Sequence, residues 1–195
     1  PPFAAVEGVE DVLGFAAQHG WPVVLKAVRG GYDGRGVWVL EDPGQARSTV
    51  TELRAAGTPL MVEERVALRR ELAAVLARSP YGQAAVWPVV ETVQEHGICT
   101  EVLAPAPGLD PERAAEADEL ALRVAEALGV VGLLAVELFE TDDGLVINEL
   151  AMRPHNSAHW TIEGARTSQF EQHLRAVLDY PMGDTRLTAP AVVMA

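Results

Sequence analysis

Apolar residues recur at helical spacing at Val9, Val12, Leu13 and Ala16, and Gly20 follows, so an amphipathic helix is expected near the start of the chain. The period then shortens to the compact apolar blocks of strands at 23–26, 37–40 and 60–64. Between the last two, Asp42-Pro43-Gly44-Gln45 offers an N-cap, a proline for the first helical position and a capping-box glutamine, which predicts a helix ending by Gly57. The first ~65 residues therefore read as one α+β unit. Beyond them come strands at 71–77, 83–93 and 97–104. Asp110-Pro111 then opens a helix toward Gly129 whose apolar seam is Leu120, Val124 and Leu128. Strands at 135–139 and 145–147 flank the turn Asp142-Asp143-Gly144, and Ser168-x-x-Glu171 caps a last helix that reaches Asp179 before Pro181. Successive strands with segregated helices indicate an α+β fold of mainly antiparallel sheets, not a doubly wound one.

The hairpin brings two carboxylates together. Glu137 and Glu149 are nearly symmetric about the turn, so they are expected as cross-strand neighbours on one face. Like charges so placed repel, and a shared hard cation would reverse the sign. Mg²⁺ suits such a pair, since it takes one or two carboxylates plus substrate phosphates. The alternative is a solvent-facing pair whose side chains relax apart.

Composition narrows the field. A formal charge of −13, with 28 acidic residues against 15 basic ones, argues against a nucleic-acid groove. Local loops or a bound ion could still hold phosphate. Lys26 is the sole lysine. The single cysteine, Cys99, excludes an internal disulfide and a cysteine zinc site, and reads as a buried thiol on a strand. No apolar run approaches the ~20 residues of a membrane span, and the expected compartment is the cytoplasm. The chain starts Pro1-Pro2-Phe3 and finishes on an apolar run, and it is read as an internal piece of a longer polypeptide.

Three further segments carry candidate chemistry. Gly30-Gly31-Tyr32-Asp33-Gly34-Arg35-Gly36 lies between two strands, where glycine backbone N–H groups could cover a phosphate; a tight hairpin is the plainer alternative. It lacks Gly-Lys-[Ser/Thr] and is no Walker loop. Lys26, four residues ahead, is either a solvated lysine or a point charge for nucleotide phosphates. Glu63-Glu64-Arg65-Val66 sits at an expected hinge, where backbone groups could read adenine and an acidic side chain such as Glu71 a ribose; a charged linker remains open. After Glu149 come Arg153, His155 and Asn156, a set suited to a small oxyanion. The pattern has no zinc spacing, and Pro154 disfavours a helix carrying His155 and His159.

Val-Val-Leu-Lys, Gly-Gly-Tyr-Asp-Gly-Arg-Gly, Val-Glu-Glu, Val-Glu-Leu-Phe, Asn-Glu-Leu-Ala and Arg-Pro-His-Asn-Ser-Ala-His-Trp-Thr-Ile-Glu-Gly-Ala together resemble the ATP-grasp enzymes. Within them the chain is similar to the 5-(carboxyamino)imidazole ribonucleotide synthases, the ATPase subunits of phosphoribosylaminoimidazole carboxylase. The resemblance implies two α+β subdomains clamping a nucleotide: a small one over 1–66 with the glycine-rich lid, and a large one over 67–195 with the metal and substrate site. It implies ATP and Mg²⁺, with Mn²⁺ as an alternative ion, and the substrates bicarbonate and 5-aminoimidazole ribonucleotide. Bicarbonate is phosphorylated to carboxyphosphate, and the ribonucleotide amine then takes the carboxyl group, a step of purine biosynthesis.

By the same resemblance Lys26 contacts ATP phosphates, and Gly31, Tyr32, Asp33, Gly34, Arg35, Gly36 and Val37 cover them. Glu63, Glu64, Arg65 and Val66 take adenine, Glu71 the ribose, and Gln94 stands at a nucleotide contact. Glu137 and Glu149 hold the metal, with Asn148 beside them. Tyr32, Asp33 and Arg35 face bicarbonate and aminoimidazole, and Arg153, His155 and Asn156 form the oxyanion pocket. No nucleic acid or membrane partner is implied, and a homodimer is. Gln94 replaces a histidine of some members, and Ala158 replaces a glycine. The flanking N- and C-terminal domains of the family are absent, so little turnover is expected from this piece alone. A ligase for another carboxylate, such as formate with glycinamide ribonucleotide, and a non-catalytic nucleotide-binding module are the competing readings.

Overall fold

β1 (Phe3–Val6), α1 (Val9–His19), β2 (Val23–Ala27), β3 (Val37–Leu40), α2 (Pro43–Ala55) and β4 (Leu60–Glu64) lie in the first of two units, Pro1–Ala67 with His96–Ile98. The structure is a computed structural model that describes residues 1–30, 34–95 and 97–195. Gly31, Tyr32 and Asp33 thus lie outside the described residues. Four antiparallel strands in the order β1-β4-β2-β3 form the sheet of this unit. Val12, Phe15 and Ala16 of α1 and Ala46 and Val50 of α2 bury against Val23, Leu25, Leu40, Leu60 and Val62 of the strands.

Asp42 caps α2 as its sequence position predicts: Oδ1 accepts the N–H groups of Gly44 (2.7 Å) and Gln45 (2.9 Å). Such a cap is worth about 1 kcal/mol. The return bond of the box goes one residue further out, from Glu41 N–H to Gln45 Oε1.

The second unit, Leu68–Glu95 with Cys99–Ala195, contains β5 (Arg70–Arg78), β6 (Ala84–Val86), β7 (Val90–Glu95), β8 (Ile98–Ala104, whose first residue belongs to the other unit), α3 (Pro111–Ala127), β9 (Gly132–Glu140), β10 (Leu145–Ala151), a 3-10 turn at Asn156–Ala158, α4 (Thr161–Gly164), α5 (Gln169–Val177) and β11 (Val192–Met194). Its sheet runs β10-β9-β5-β7-β8-β11, with β6 also on β5. Central β5 is covered on both faces. Leu72, Ala74 and Leu76 join Leu134, Val136 and Leu138 of β9 in the core under α3, while Ala73, Val75 and Ala77 join Leu133, Ala135, Trp87 and Trp160 in the opposite core, which also takes Ala176 of α5.

Two expectations need correction. The single strand expected over 83–93 is split into β6 and β7; Pro88 falls in the gap, where it has no N–H to give a ladder. The seam of α3 is not Leu120, Val124 and Leu128 but the fully buried Ala117, Ala121 and Ala125, with Leu120 and Val124 half-buried and Leu128 54% exposed. Small side chains let the helix seat closely on the sheet, and the leucines flank the contact.

A glycine sets the start of β9. Gly132 has φ +99°, and a Cβ there would stand 2.7 Å from the His173 ring, whose Nδ1 accepts the Leu133 N–H at 3.1 Å. α5 is thereby tied to the strand that carries Glu137.

Candidate active site

β9 and β10 pair regularly from the turn inward: Leu145 with Glu140, Val146 with Phe139, Ile147 with Leu138. The register then shifts, and Glu149 pairs directly with Glu137, Leu150 with Val136 and Ala151 with Ala135. Asn148 is the extra residue of a β-bulge. Without it, Ile147 and Glu149, two apart, would share a face. With it, Leu145 and Ile147 pack into the core under α3, whereas Ala151 packs into the opposite core. Glu149 is thus turned onto the face of Glu137, Ala135 and Leu133. The cross-strand pair expected from the sequence is present, and a bulge makes it.

Around the pair, the Asn148 amide donates to Glu137 Oε2 at 3.3 Å. His155 Nε2 lies 3.4 Å from Glu137 Oε1. One donor atom each from Glu137, Glu149 and His155 falls within 4.8 Å of the others, a group able to hold a metal ion. Glu137 is half-buried, Glu149 exposed and His155 only 5% exposed. Two carboxylate oxygens suit a hard divalent cation, and an imidazole nitrogen broadens the set toward Mn²⁺.

Burial, with smaller contributions from Arg153 and His159, pushes the His155 pKa down to about 4. The neighbouring carboxylate alone would favour the charged ring, but desolvation outweighs a 3.4 Å contact. His155 is therefore a neutral imidazole at pH 7, not half of an ion pair. Its Nδ1 sits 2.8 Å from Ser157 Oγ, and its backbone is held by Gln169.

The other oxyanion residues are less enclosed. Arg153 is exposed and donates to Pro154 O, and Asn156 Oδ1 accepts the Ser157 N–H at 2.7 Å. Ala158 is fully buried within the 3-10 turn, its methyl part of the core with Trp160. Glu71 stands on the same face of β5 as Ala73, and burial pushes its pKa up. Cys99 is half-buried, and its thiol rises to about 11 through burial and the charges of Glu137 and Glu71, so it stays protonated. Gln94 is half-buried on β7.

In the first unit, Lys26 Nζ lies 2.7 Å from the Glu63 carboxylate across the β2–β4 pairing. Glu63 is 8% exposed, so the lysine is neither solvated nor casual: a buried carboxylate without it would be costly. Glu64 meets His19 at 3.5 Å. Arg65 is exposed and Val66 half-buried beyond the end of β4; Gly34, Arg35 and Val37 are exposed and Gly36 half-buried. Sequence reasoning passed over Ser157, Thr161 and Gln169, three buried polar residues around His155. Ser157 and Thr161 fall in the motif that carried the resemblance, but beyond that the signal was polarity inside a segment that had to pack.

The ATP-grasp domain profile matches residues 1–170. The chain belongs to the ATP-grasp domain family. It is 60% identical over its whole length to the N5-carboxyaminoimidazole ribonucleotide synthase of Mycobacterium tuberculosis, of which it covers 46%. The solved structure of N5-carboxyaminoimidazole ribonucleotide synthetase from Thermus thermophilus superposes with a TM-score of 0.87 at 40% identity, over 99% of this chain and 51% of that one. The corresponding synthase of Aspergillus clavatus, solved with ADP and 5-aminoimidazole ribonucleotide, gives a TM-score of 0.88 at 30% identity, over 98% of this chain and 50% of the other. The chain spans about half the length of these relatives. The ATP-grasp fold is α+β, as its strand pattern predicts. Among the described residues no helix is long and apolar enough to cross a membrane.

Proposed function

We propose that this chain is the ATP-grasp core of a carbon–nitrogen ligase that carboxylates 5-aminoimidazole ribonucleotide with bicarbonate. The observation that carries the reading is the bulge-made pair of Glu137 and Glu149, with neutral His155 in reach of both. A bicarbonate oxygen attacks the γ-phosphorus of ATP and ADP leaves, giving carboxyphosphate. The ribonucleotide amine then attacks its carboxyl carbon, phosphate departs with the bonding pair, and the amine loses a proton.

Glu137 and Glu149, supported by Asn148, would hold Mg²⁺, which supplies neutralising charge to phosphate oxygens. His155, neutral, can offer a hydrogen bond to an oxyanion without carrying a charge of its own. Arg153 adds fixed positive charge and Asn156 an amide at the same loop. Lys26 contacts nucleotide phosphates, with Glu63 fixing its ammonium. Glu63, Glu64, Arg65 and Val66 take adenine, Glu71 the ribose, and Gln94 a further nucleotide contact. Gly31, Gly34, Gly36 and Val37 cover the phosphates, and Tyr32, Asp33 and Arg35 face bicarbonate and the aminoimidazole. That the relatives bear the synthase name, and that one is solved with ADP and the ribonucleotide, supports the reading.

The test is ADP release by the protein as it is made in the cell, with any flanking domains, first with bicarbonate and the ribonucleotide and then with formate in place of bicarbonate. Turnover is expected with bicarbonate only, and Glu149→Gln should lower it at least about 100-fold, the upper end for partners that merely orient metal ligands. Turnover with formate and none with bicarbonate would defeat the reading. Calorimetry with an ATP analogue separates off a non-catalytic module, whose nucleotide affinity would ignore both Mg²⁺ and Glu149→Gln.

A further inference from the structure

Gln169 is the first residue of α5, yet its side chain is fully buried. Its Oε1 accepts the His155 N–H at 2.8 Å, and its Nε2 donates to the His155 carbonyl at 2.8 Å. The same nitrogen lies 2.7 Å from His159 Nδ1. One amide thus occupies both backbone groups of a residue fourteen positions away, as a neighbouring strand would. Its own backbone N–H donates to Thr161 Oγ1, which in turn donates to the Ala158 carbonyl. Helix capping does not need this side chain, because Ser168 Oγ already accepts the Glu171 N–H.

The His155 carbonyl also accepts the Ala158 N–H at 3.1 Å within the 3-10 turn, but among the described residues the partner of the His155 N–H is Gln169. His155 follows Pro154 on a chain segment outside the sheet, and its ring meets Ser157 through Nδ1 and Glu137 through Nε2. A ring rotates about a backbone, and the backbone here is held from α5. We infer that Gln169 is a positioning residue, whose amide clamps His155 so that its imidazole faces the Glu137–Glu149 pair. The inference rests on the proposed function, in which that pair is the reaction centre.

Gln169→Leu keeps the volume and removes every side-chain hydrogen bond; Gln169→Glu keeps an acceptor for the His155 N–H and loses the donor. Two quantities are read in the protein as it is made in the cell, with any flanking domains. The first is ADP released per carboxylated product, a ratio that a loss of folded protein leaves unchanged. The second is the set of ¹⁵N imidazole resonances of His155, assigned by their disappearance in His155→Asn. Gln169→Leu should raise the ratio about tenfold, within the usual range for groups that orient a site from behind, and should move the His155 resonances. Gln169→Glu should fall between it and the parent, and Gln169→Leu should add nothing once His155→Asn is present. A folded Gln169→Leu with parental ratio and parental resonances would overturn the inference. If Gln169→Leu fails to fold, Gln169→Glu decides by the same two readings. A parent protein that makes no carboxylated product defeats the functional proposal instead, and the resonances still decide whether Gln169 positions the ring.

Discussion

Asp118 lies on α3 beside the buried Ala117, and its Oδ1 is buried with no hydrogen-bond partner among the described residues. Burial pushes its pKa up to about 6, above the 3.8 of an ordinary aspartate. Below the unfolded value both states carry the proton and the fold loses nothing. As pH rises through 6 the folded chain must ionise a desolvated carboxyl, so the stability tied to the protonated form disappears. The residue then costs on the order of 2 kcal/mol at about pH 7.5, allowing for screening of a partly exposed group. Asp118→Asn is accordingly expected to raise the urea midpoint at about pH 7.5 and to give little change at about pH 3.5. Equal gains at both values would show that ionisation is not the cause. His155 shows the same desolvation in the other sense: its neutral form is the favoured one, which suits it to hydrogen-bond an anion near neutral pH.

Elements with strong local signals were legible. Asp42-Pro43 and Asp110-Pro111 begin helices because a carboxylate followed by proline satisfies the first-turn N–H groups and presets φ, and both aspartates make those bonds. The β9–β10 hairpin followed from its turn residues. β1 was not legible, since Phe-Ala-Ala-Val offers no alternation, and its partner β4 is far along the chain. The α3 seam was misread because alanine carries a weak hydrophobic signal even where close approach makes it the contact residue. That correction has a measurable side. Ala121→Leu should cost about 1–3 kcal/mol by overpacking a fully buried site, whereas Leu128→Ala should stay within about 0.5 kcal/mol. Thermal melts of the two variants check it, and a larger loss for Leu128→Ala would restore the leucine seam. Within the candidate site, near-symmetry about the turn pointed to the facing glutamates, but the regular register would set Asn148 opposite Glu137, and the bulge that brings Glu149 there was not legible. Nor was Gln169, because its partner is a backbone fourteen residues away and backbone groups leave no trace in a sequence.

At the scale of the whole molecule, a net charge of −13 means that self-repulsion opposes the compact state. Salt reaching a Debye length of about 10 Å screens much of it. Raising sodium chloride from about 10 to 150 mM should therefore raise the melting temperature by a few degrees, since about 1 kcal/mol moves a chain of this size by 2–4 °C. A fall would mean that local ion pairs dominate. Arg70, half-buried and bonded to both Glu140 and Glu91, is less open to such screening than the exposed pairs, as is Lys26 with Glu63. The overall charge argued against a nucleic-acid groove, yet it had no bearing on local arrangements such as Lys26 against Glu63, which single residues set.

The bulge at Asn148 divides one strand into two phases, and length changes along it are not equivalent. A residue added in the turn at 141–144 leaves both phases as they are. A residue added between Asn148 and Glu149 returns Glu149 to the face under α3 and dissolves the carboxylate pair without touching either glutamate. Natural relatives should therefore vary in length at the turn and hold it fixed from Asn148 to Ala151, so that the spacing of this short run, more than the identity of any one residue in it, records whether the site is kept.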